Sequence, residues 1–367
     1  MSKEVIIMFL TAMTALLIAR LLALKCGLVD KPGGRKQHKG EIPLVGGISF
    51  YCAIVVFFLF WPEVLPYTET HFLPYLVSIS LLLFVGIADD RFDLPVIPRV
   101  FIQALSAVVI MVDGLYLQTL GHVLGGNELV LGPVGYLVTL FATWAAINAF
   151  NMVDGVDGLL GSVASATFAA LMVVFLLAGS HLLAMWCFLM IVALIPYLMF
   201  NMGLIGKKRF KVFMGDAGSM VIGFTMLWLV MLGSQGGEAV MAPVTALWVI
   251  ALPLMDMVTI MVRRLRRGHS PFHPDRDHLH HILMRSGLTG RQTVLVMTLL
   301  TAVFAGFGIV LSQLGVAEWF SLAVFLALFT GYLVVNNKLQ KRNPDLRAKI
   351  GQQYNVAASA DIPTGNQ

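Results

Sequence analysis

Long apolar runs separated by short polar breaks make up most of this chain, and their lengths predict helices that cross a bilayer. Eleven stretches qualify: 5–24, 45–61, 73–88, 100–117, 133–150, 159–178, 183–205, 218–233, 242–262, 292–312 and 318–336. A spanning helix needs about 20 mostly apolar residues, and fewer if its ends reach for the interface. No period-2 alternation is sustained, which argues against a β-barrel. The run from Val5 to Leu24 is too long for a signal-peptide core and is expected to remain as the first span. The pattern predicts an all-α integral membrane protein with about eleven transmembrane helices. Residues 1–336 form one polytopic membrane domain, and 337–367 form a polar tail.

Charge adds a direction. The segments that follow odd-numbered spans are 25–44, 89–99, 151–158, 206–217, 263–291 and 337–367. They hold 23 of the 25 lysines and arginines, while the loops on the other side carry Glu63, Glu69, Glu128 and Glu238 and no basic residue. Basic residues stay on the cytoplasmic side of bacterial membranes, so the amino terminus is expected outside and the carboxyl terminus in the cytoplasm. The run Arg263-Arg264-Leu265-Arg266-Arg267 then reads first as a topogenic and anionic-lipid contact. Of 367 residues, 58% are hydrophobic and 12% charged, with mean hydropathy +0.84 and net charge +5. A soluble domain has about twice that charged share, so a water-soluble enzyme, a disordered tail protein and a nucleic-acid binder are excluded. Cys26, Cys52 and Cys187 lie far apart without metal spacing, and read as packing residues.

Polar residues at membrane depth are costly, and here they gather in segments assigned to one side. Asp89-Asp90-Arg91-Phe92-Asp93 closes the third span. Asn148, Asn151, Asp154 and Asp157, with Gly155 and Gly158, lie between the fifth and sixth. Val212 to Ser219, with Asp216 between Gly215 and Gly218, opens the eighth. The segment from Ser270 to His281 holds His278, His280 and His281. Four clusters from separate loops suggest one convergent site. Carboxylates and amide carbonyls are the hard oxygen ligands that Mg²⁺ or Mn²⁺ prefers, and Mg²⁺ completes its shell with phosphate oxygens and water. The three-residue recurrence of Asn148, Asn151, Asp154 and Asp157 would bring neighbours to one face of a helix. Asp216 sits where a helix begins, and a helix amino terminus favours anionic groups. The set reads as a divalent-metal diphosphate site.

Plainer roles are expected elsewhere. Asp93 is expected to pair with Arg91 or Arg99, and Asp256, alone in the ninth span and apart from the clusters, reads as a polar contact between helices. The histidines of the fourth cluster lack cysteines and an H-E-x-x-H pattern, so phosphate or sugar contact is favoured over zinc. His71, His122 and His181 read as interfacial. The rival class is an ion- or proton-coupled transporter using the intramembrane acids. Such a protein wants a midplane site and pairing between halves, and no internal symmetry is evident.

At these clusters the chain resembles the polyprenyl-phosphate N-acetylhexosamine-1-phosphate transferases. The resemblance rests on Pro43-Leu44-Val45-Gly46-Gly47, Asp89-Asp90, Asn148 to Gly158, Val212 to Ser219 and His278 to His281, in the family's order. Leu279 interrupts the three consecutive histidines usual in the branch that uses UDP-MurNAc-pentapeptide, and so argues against that branch. The resemblance implies transfer of GlcNAc-1-phosphate from UDP-GlcNAc to undecaprenyl phosphate, with release of UMP. It also implies Mg²⁺ or Mn²⁺, the bacterial cytoplasmic membrane with the active site on its cytoplasmic face, and a role in starting O-antigen or enterobacterial common-antigen lipids. Carried over by position, Asp216 and then Asn151 are the implied metal ligands, and Asp89 and Asp90 the implied catalytic pair. Phe213 is the implied uracil-stacking aromatic. Lys39, Arg99, Asn148, Asp154, Asp157, Arg276, His278, His280 and His281 are implied around the substrates. A homodimer is left open.

Overall fold

The computed structural model describes residues 2–31, 40–60, 69–206, 210–237, 239–268, 270 and 277–341. The expected contacts of Lys39 and Arg276, and the tail beyond 341, lie outside the described residues. The fold is helical: α1 (Ser2–Cys26), α2 (Gly46–Phe60), α3 (Glu69–Phe92), α4 (Val96–Val112), α5 (Val134–Val153), α6 (Leu159–Leu177), α7 (His181–Asn201), α8 (Gly215–Ser234), α9 (Pro243–Val249), α10 (Ala251–Arg266), α11 (Leu279–Arg285), α12 (Gly290–Gln313) and α13 (Glu318–Lys341). A two-residue pair, β1 (Val29–Asp30) with β2 (Ile42–Pro43), is antiparallel in the register Val29 to Pro43.

Each expected span meets a helix. Among the described residues, eight helices are long and apolar enough to cross a membrane, and α9 with α10 makes a ninth bent by 80°. The helices at 46–60 and 96–112, of 15 and 17 residues, fall short of that length. The break in the expected 242–262 span has a local cause. Ile250 leaves helical geometry at φ −104° and ψ 16°. Pro253, in the first turn of α10, lacks an N–H, and a helix tolerates that only near its start. At the other extreme α13 runs five residues past the expected boundary of the polar tail.

Helix α8 is the axis of the bundle. Its window is 94% buried, against 17% for α1 and 11% for α13. Helices α2, α3 and α5 pack around it, and small residues let them come close. A Cβ on Gly47 would lie 2.3 Å from Gly218 Cα, and one on Gly86 would lie 2.2 Å from Ala217 Cα. Apolar burial offers little net drive between helices in lipid, so such backbone contact is where packing energy is gained. Farther along α8, Tyr75 stacks on Trp228 at 4.2 Å between ring centroids and its hydroxyl meets Thr225 at 2.9 Å.

Candidate active site

The amino terminus of α8 is where the first three clusters meet. Main chain brings the Pro43-Leu44-Val45-Gly46-Gly47 stretch there: Phe213 N–H donates to Pro43 O at 2.9 Å, and Val45 and Gly46 donate back to Phe213 O at 3.1 and 2.9 Å. Gly215 turns the chain into α8 at φ +78°, a conformation L side chains rarely adopt, and a Cβ there would strike Asp90 Oδ2 at 2.4 Å.

Asp90 caps this helix from α3. Its Oδ1 accepts the Asp216 N–H at 2.8 Å and its Oδ2 the Ala217 N–H at 3.3 Å. An anion does gather at this helix start, and it is the chain's own carboxylate, which takes the amides of Asp216 and Ala217. The neighbouring Asp89 turns elsewhere. It accepts from Arg99 Nη1 at 2.7 Å and from the Leu94 N–H at 2.9 Å, with its side chain 3% exposed. Arg99 also stands 3.9 Å from Asp216 Oδ2. The expected partnership of Arg99 with Asp93 gives way to this, since Asp93 lies past the helix end at φ +51° while Asp89 faces inward.

From α5, Asn151 donates its side-chain N–H to Asp216 Oδ1 at 2.7 Å and to Ser219 Oγ at 2.8 Å. Helix α5 ends at Val153, so the three-residue recurrence does not continue as one helical face. Asn148 folds back to donate to Trp144 O at 2.7 Å. Asp154 caps the helix end and Asp157 lies in the following turn. Burial pushes the Asp154 carboxyl up to about 7, and the charges of Asp216 and Asp157 push it the same way. Asp157 accepts from Lys211 Nζ at 2.6 Å, and that ammonium also lies 5.1 Å from the Phe213 ring centroid. Buried Asn201 closes the turn, accepting the Gly158 N–H and donating to Val212 O at 2.8 Å.

The fourth cluster reaches the second through Gly155. A Cβ there would lie 2.3 Å from His280 Nε2, so this glycine lets the imidazole in. His280 is 1% exposed, and neither ring nitrogen has a hydrogen-bond partner among the described residues. Burial, with His281 and His278 nearby, pulls its pKa down to about 3, so the ring is neutral at pH 7. The rings of His278 and His280 are parallel at 5.5 Å between centroids, and His281 lies 4.2 Å from His280. Asp256 is not apart from the clusters: His278 Nδ1 lies 3.0 Å from its carboxylate. On the far side of the bundle His71 pairs with Asp113.

Among the described residues no three His, Cys, Asp or Glu side chains form a ready-made metal cage. Mg²⁺ takes one or two protein oxygens and the rest from phosphates and water. Asp216, 39% exposed at the centre, offers such an oxygen. Sequence reasoning missed Lys211 and Asn201, and gave Ser219 only as the end of the third cluster. Lys211 had a signal, a basic residue two positions before Phe213, whereas Asn201 is a lone polar residue closing an apolar helix.

Comparison with known proteins gives the family. Residues 72–234 match the family model described as Glycosyl transferase family 4, a stretch running from α3 to the end of α8. The fold and the site thus define a membrane-embedded glycosyl transferase. The chain is 52% identical over 334 residues to the undecaprenyl-phosphate alpha-N-acetylglucosaminyl 1-phosphate transferase of Yersinia pestis, covering 90% of each chain. It is 51% identical over 333 residues to the protein of that name in Escherichia coli strain K12, covering 90% of this chain and 89% of the relative. For Haemophilus influenzae the identity is 47% over 334 residues, 90% of this chain and 92% of the relative. The chain belongs to this family of 1-phosphate transferases.

Proposed function

We propose that this protein transfers GlcNAc-1-phosphate from UDP-GlcNAc to undecaprenyl phosphate, releasing UMP, at the cytoplasmic face of a bacterial inner membrane. The observation that carries the reading is the meeting of Asp90, Asp216, Asn151 and Arg99 at the head of α8, in a chain so similar to transferases of that name. The basic residues support the orientation. An oxygen of the lipid phosphate attacks the sugar-bearing phosphorus, the bond to UMP breaks, and UMP leaves with the electron pair. One phosphoanhydride replaces another, so the difficulty is bringing anions together rather than driving the reaction.

Positioning and electrostatics are the main contributions in such transfers. Asp89 holds Arg99 beside Asp216, so a fixed cation stands by the approaching phosphates. Asp90 fixes the start of α8 and with it the direction of Asp216. The phosphate acceptor has a second pKa near ~6 and is already largely dianionic at pH 7, so a strong base is not required. Mg²⁺ or Mn²⁺, held by Asp216 with Asn151, would supply charge neutralisation for the donor diphosphate. Phe213, with Lys211 over its ring, is assigned to the uracil, and His278, His280 and His281 to the phosphate or sugar.

The test is UMP release by purified protein given Mg²⁺, undecaprenyl phosphate and, in turn, UDP-GlcNAc, UDP-GalNAc and UDP-MurNAc-pentapeptide. Release with UDP-GlcNAc alone is expected. Release from another donor in preference would correct the sugar, and no release from any would overturn the reading.

A further inference from the structure

The fourth cluster is held by a bracket reaching into α10 before it and α13 after it. Asp256, in α10, is 1% exposed and takes three donors on one carboxylate. Its Oδ2 meets His278 Nδ1 at 3.0 Å, and its Oδ1 accepts the Leu279 N–H at 3.0 Å and the Tyr332 hydroxyl at 2.8 Å. His278 and Leu279 are the cap and first residue of α11, and Tyr332 comes from α13. Arg263 ties the same elements together, donating to Asp277 O at 3.2 Å and to the Asn336 and Asn337 side chains at 3.3 and 3.1 Å.

A buried charge of this kind is costly unless fully paired, and truncating one partner leaves the other stranded. Inter-helix adhesion alone does not call for an imidazole among the partners, since hydroxyl and amide donors would satisfy the carboxylate. The imidazole has two chemically distinct nitrogens, and the hydrogen bond made by one decides what the other presents. A carboxylate facing Nδ1 requires a proton there. The ring nitrogen turned away from Asp256 is then Nε2.

We infer that Asp256, steadied by Tyr332, is a positioning residue that fixes the tautomer and direction of His278 for the transferred phosphate or sugar. This rests on the proposed transfer reaction. Asp256→Asn keeps the shape and can still accept from Leu279 and Tyr332, but its amide N–H₂ facing Nδ1 selects the opposite tautomer. Replacing the orienting carboxylate of a functional histidine costs about 100-fold or more in comparable arrangements.

Two measurements test this on the full-length protein. In a double-mutant cycle, Asp256→Asn should lower kcat by about 100-fold in the wild-type background and have no further effect in His278→Ala. Tyr332→Phe, which removes one donor to Oδ1, should cost less than ~10-fold and also lose its effect in His278→Ala. Losses that persist undiminished in the His278→Ala background would reduce Asp256 and Tyr332 to structural groups and overturn the inference. NMR of nitrogen-labelled histidine, with His278→Ala identifying the resonance, should find Nδ1 protonated in the wild type and bare in Asp256→Asn. A bare wild-type Nδ1 would overturn the inference even if Asp256→Asn fails to fold. Absence of UMP release from wild type would instead refute the transfer reaction, and the NMR result would still decide the tautomer.

Discussion

Around Asp216 most of the framework is backbone: Asp90 takes two main-chain amides, Phe213 is paired on main chain, and glycines 47 and 86 bring helices nearly into contact, with Asn151 and Arg99 added through side chains. Around His278 they are held by side chains, through Asp256, Tyr332 and Arg263. A site built on close-packed backbone cannot shift without moving whole helices, so it suits groups that must stay fixed while charge redistributes. A site built on side chains from a late helix can be retuned one residue at a time. The difference predicts separate mutational signatures. At the head of α8, errors in the backbone approach should cost fold and turnover together, whereas in the bracket errors should cost turnover through one ring.

The sharpest break is at the centre. Asp216→Asn keeps the size of the residue and its main-chain links, and should lower UMP release by roughly 1,000-fold with the protein still folded. Turnover and Mg²⁺ dependence close to wild type would remove Asp216 from the ligand set. Next in size is the backbone approach itself. Gly86→Ala places a Cβ 2.2 Å from Ala217 Cα, where no flexible side chain can yield. A loss of about 1–3 kcal/mol of stability, read from thermal unfolding in detergent, is expected with a parallel fall in activity. An unchanged midpoint would show that α3 and α8 can separate at little cost, and the comparison would fail.

Asp90→Asn tests the cap. The amide retains one acceptor for the Asp216 N–H but presents N–H₂ to Ala217, and loss of a good helix cap costs about 1 kcal/mol. Turnover should fall about 10-fold to 100-fold, through misdirection of Asp216 rather than loss of a base. The pH–rate profile should therefore run parallel to wild type. A defect that vanishes at high pH would make Asp90 a general base.

These contacts also show what the sequence made legible. The four clusters were readable because each interrupts an apolar run, and polarity at membrane depth is conspicuous. Their convergence on one place followed from charge asymmetry alone. Which residue meets which was not readable. Asp90 meets the Asp216 amide across 126 positions and Asp256 meets Tyr332 across 76, and no local spacing encodes either. Asp256 seemed isolated because its partners come from α11 and α13. The break at Ile250 was hidden for another reason: hydropathy averages over about twenty residues, and a proline within an apolar run hardly lowers the average. At the α8 amino terminus the rule that anions gather was readable, but not that Asp90 is an anion gathered there.

The smallest expected effect lies between the two regions, at Lys211. Its ammonium bridges Asp157 in the α5–α6 turn and the face of Phe213 at the α8 entrance. The Asp157 side chain is 49% exposed, so the ion pair is screened and worth at most about 1 kcal/mol. The contact with the ring adds roughly 0.5–1 kcal/mol. Neither contact involves Asp90 or Asp216. Lys211→Met keeps the apolar stem and removes only the charge, so folding and kcat should stay near wild type. If Phe213 receives the uracil, its ring loses a cation that holds it, and the donor binds less well in ground and transition states alike. Uniform loss of that kind raises KM without changing kcat. A KM for UDP-GlcNAc several-fold higher, with KM for the lipid acceptor unchanged, is the expected result. A fall in kcat at constant KM would instead place Lys211 with the groups that act only in the transition state, and extend the rigid region from the head of α8 to the α5–α6 turn.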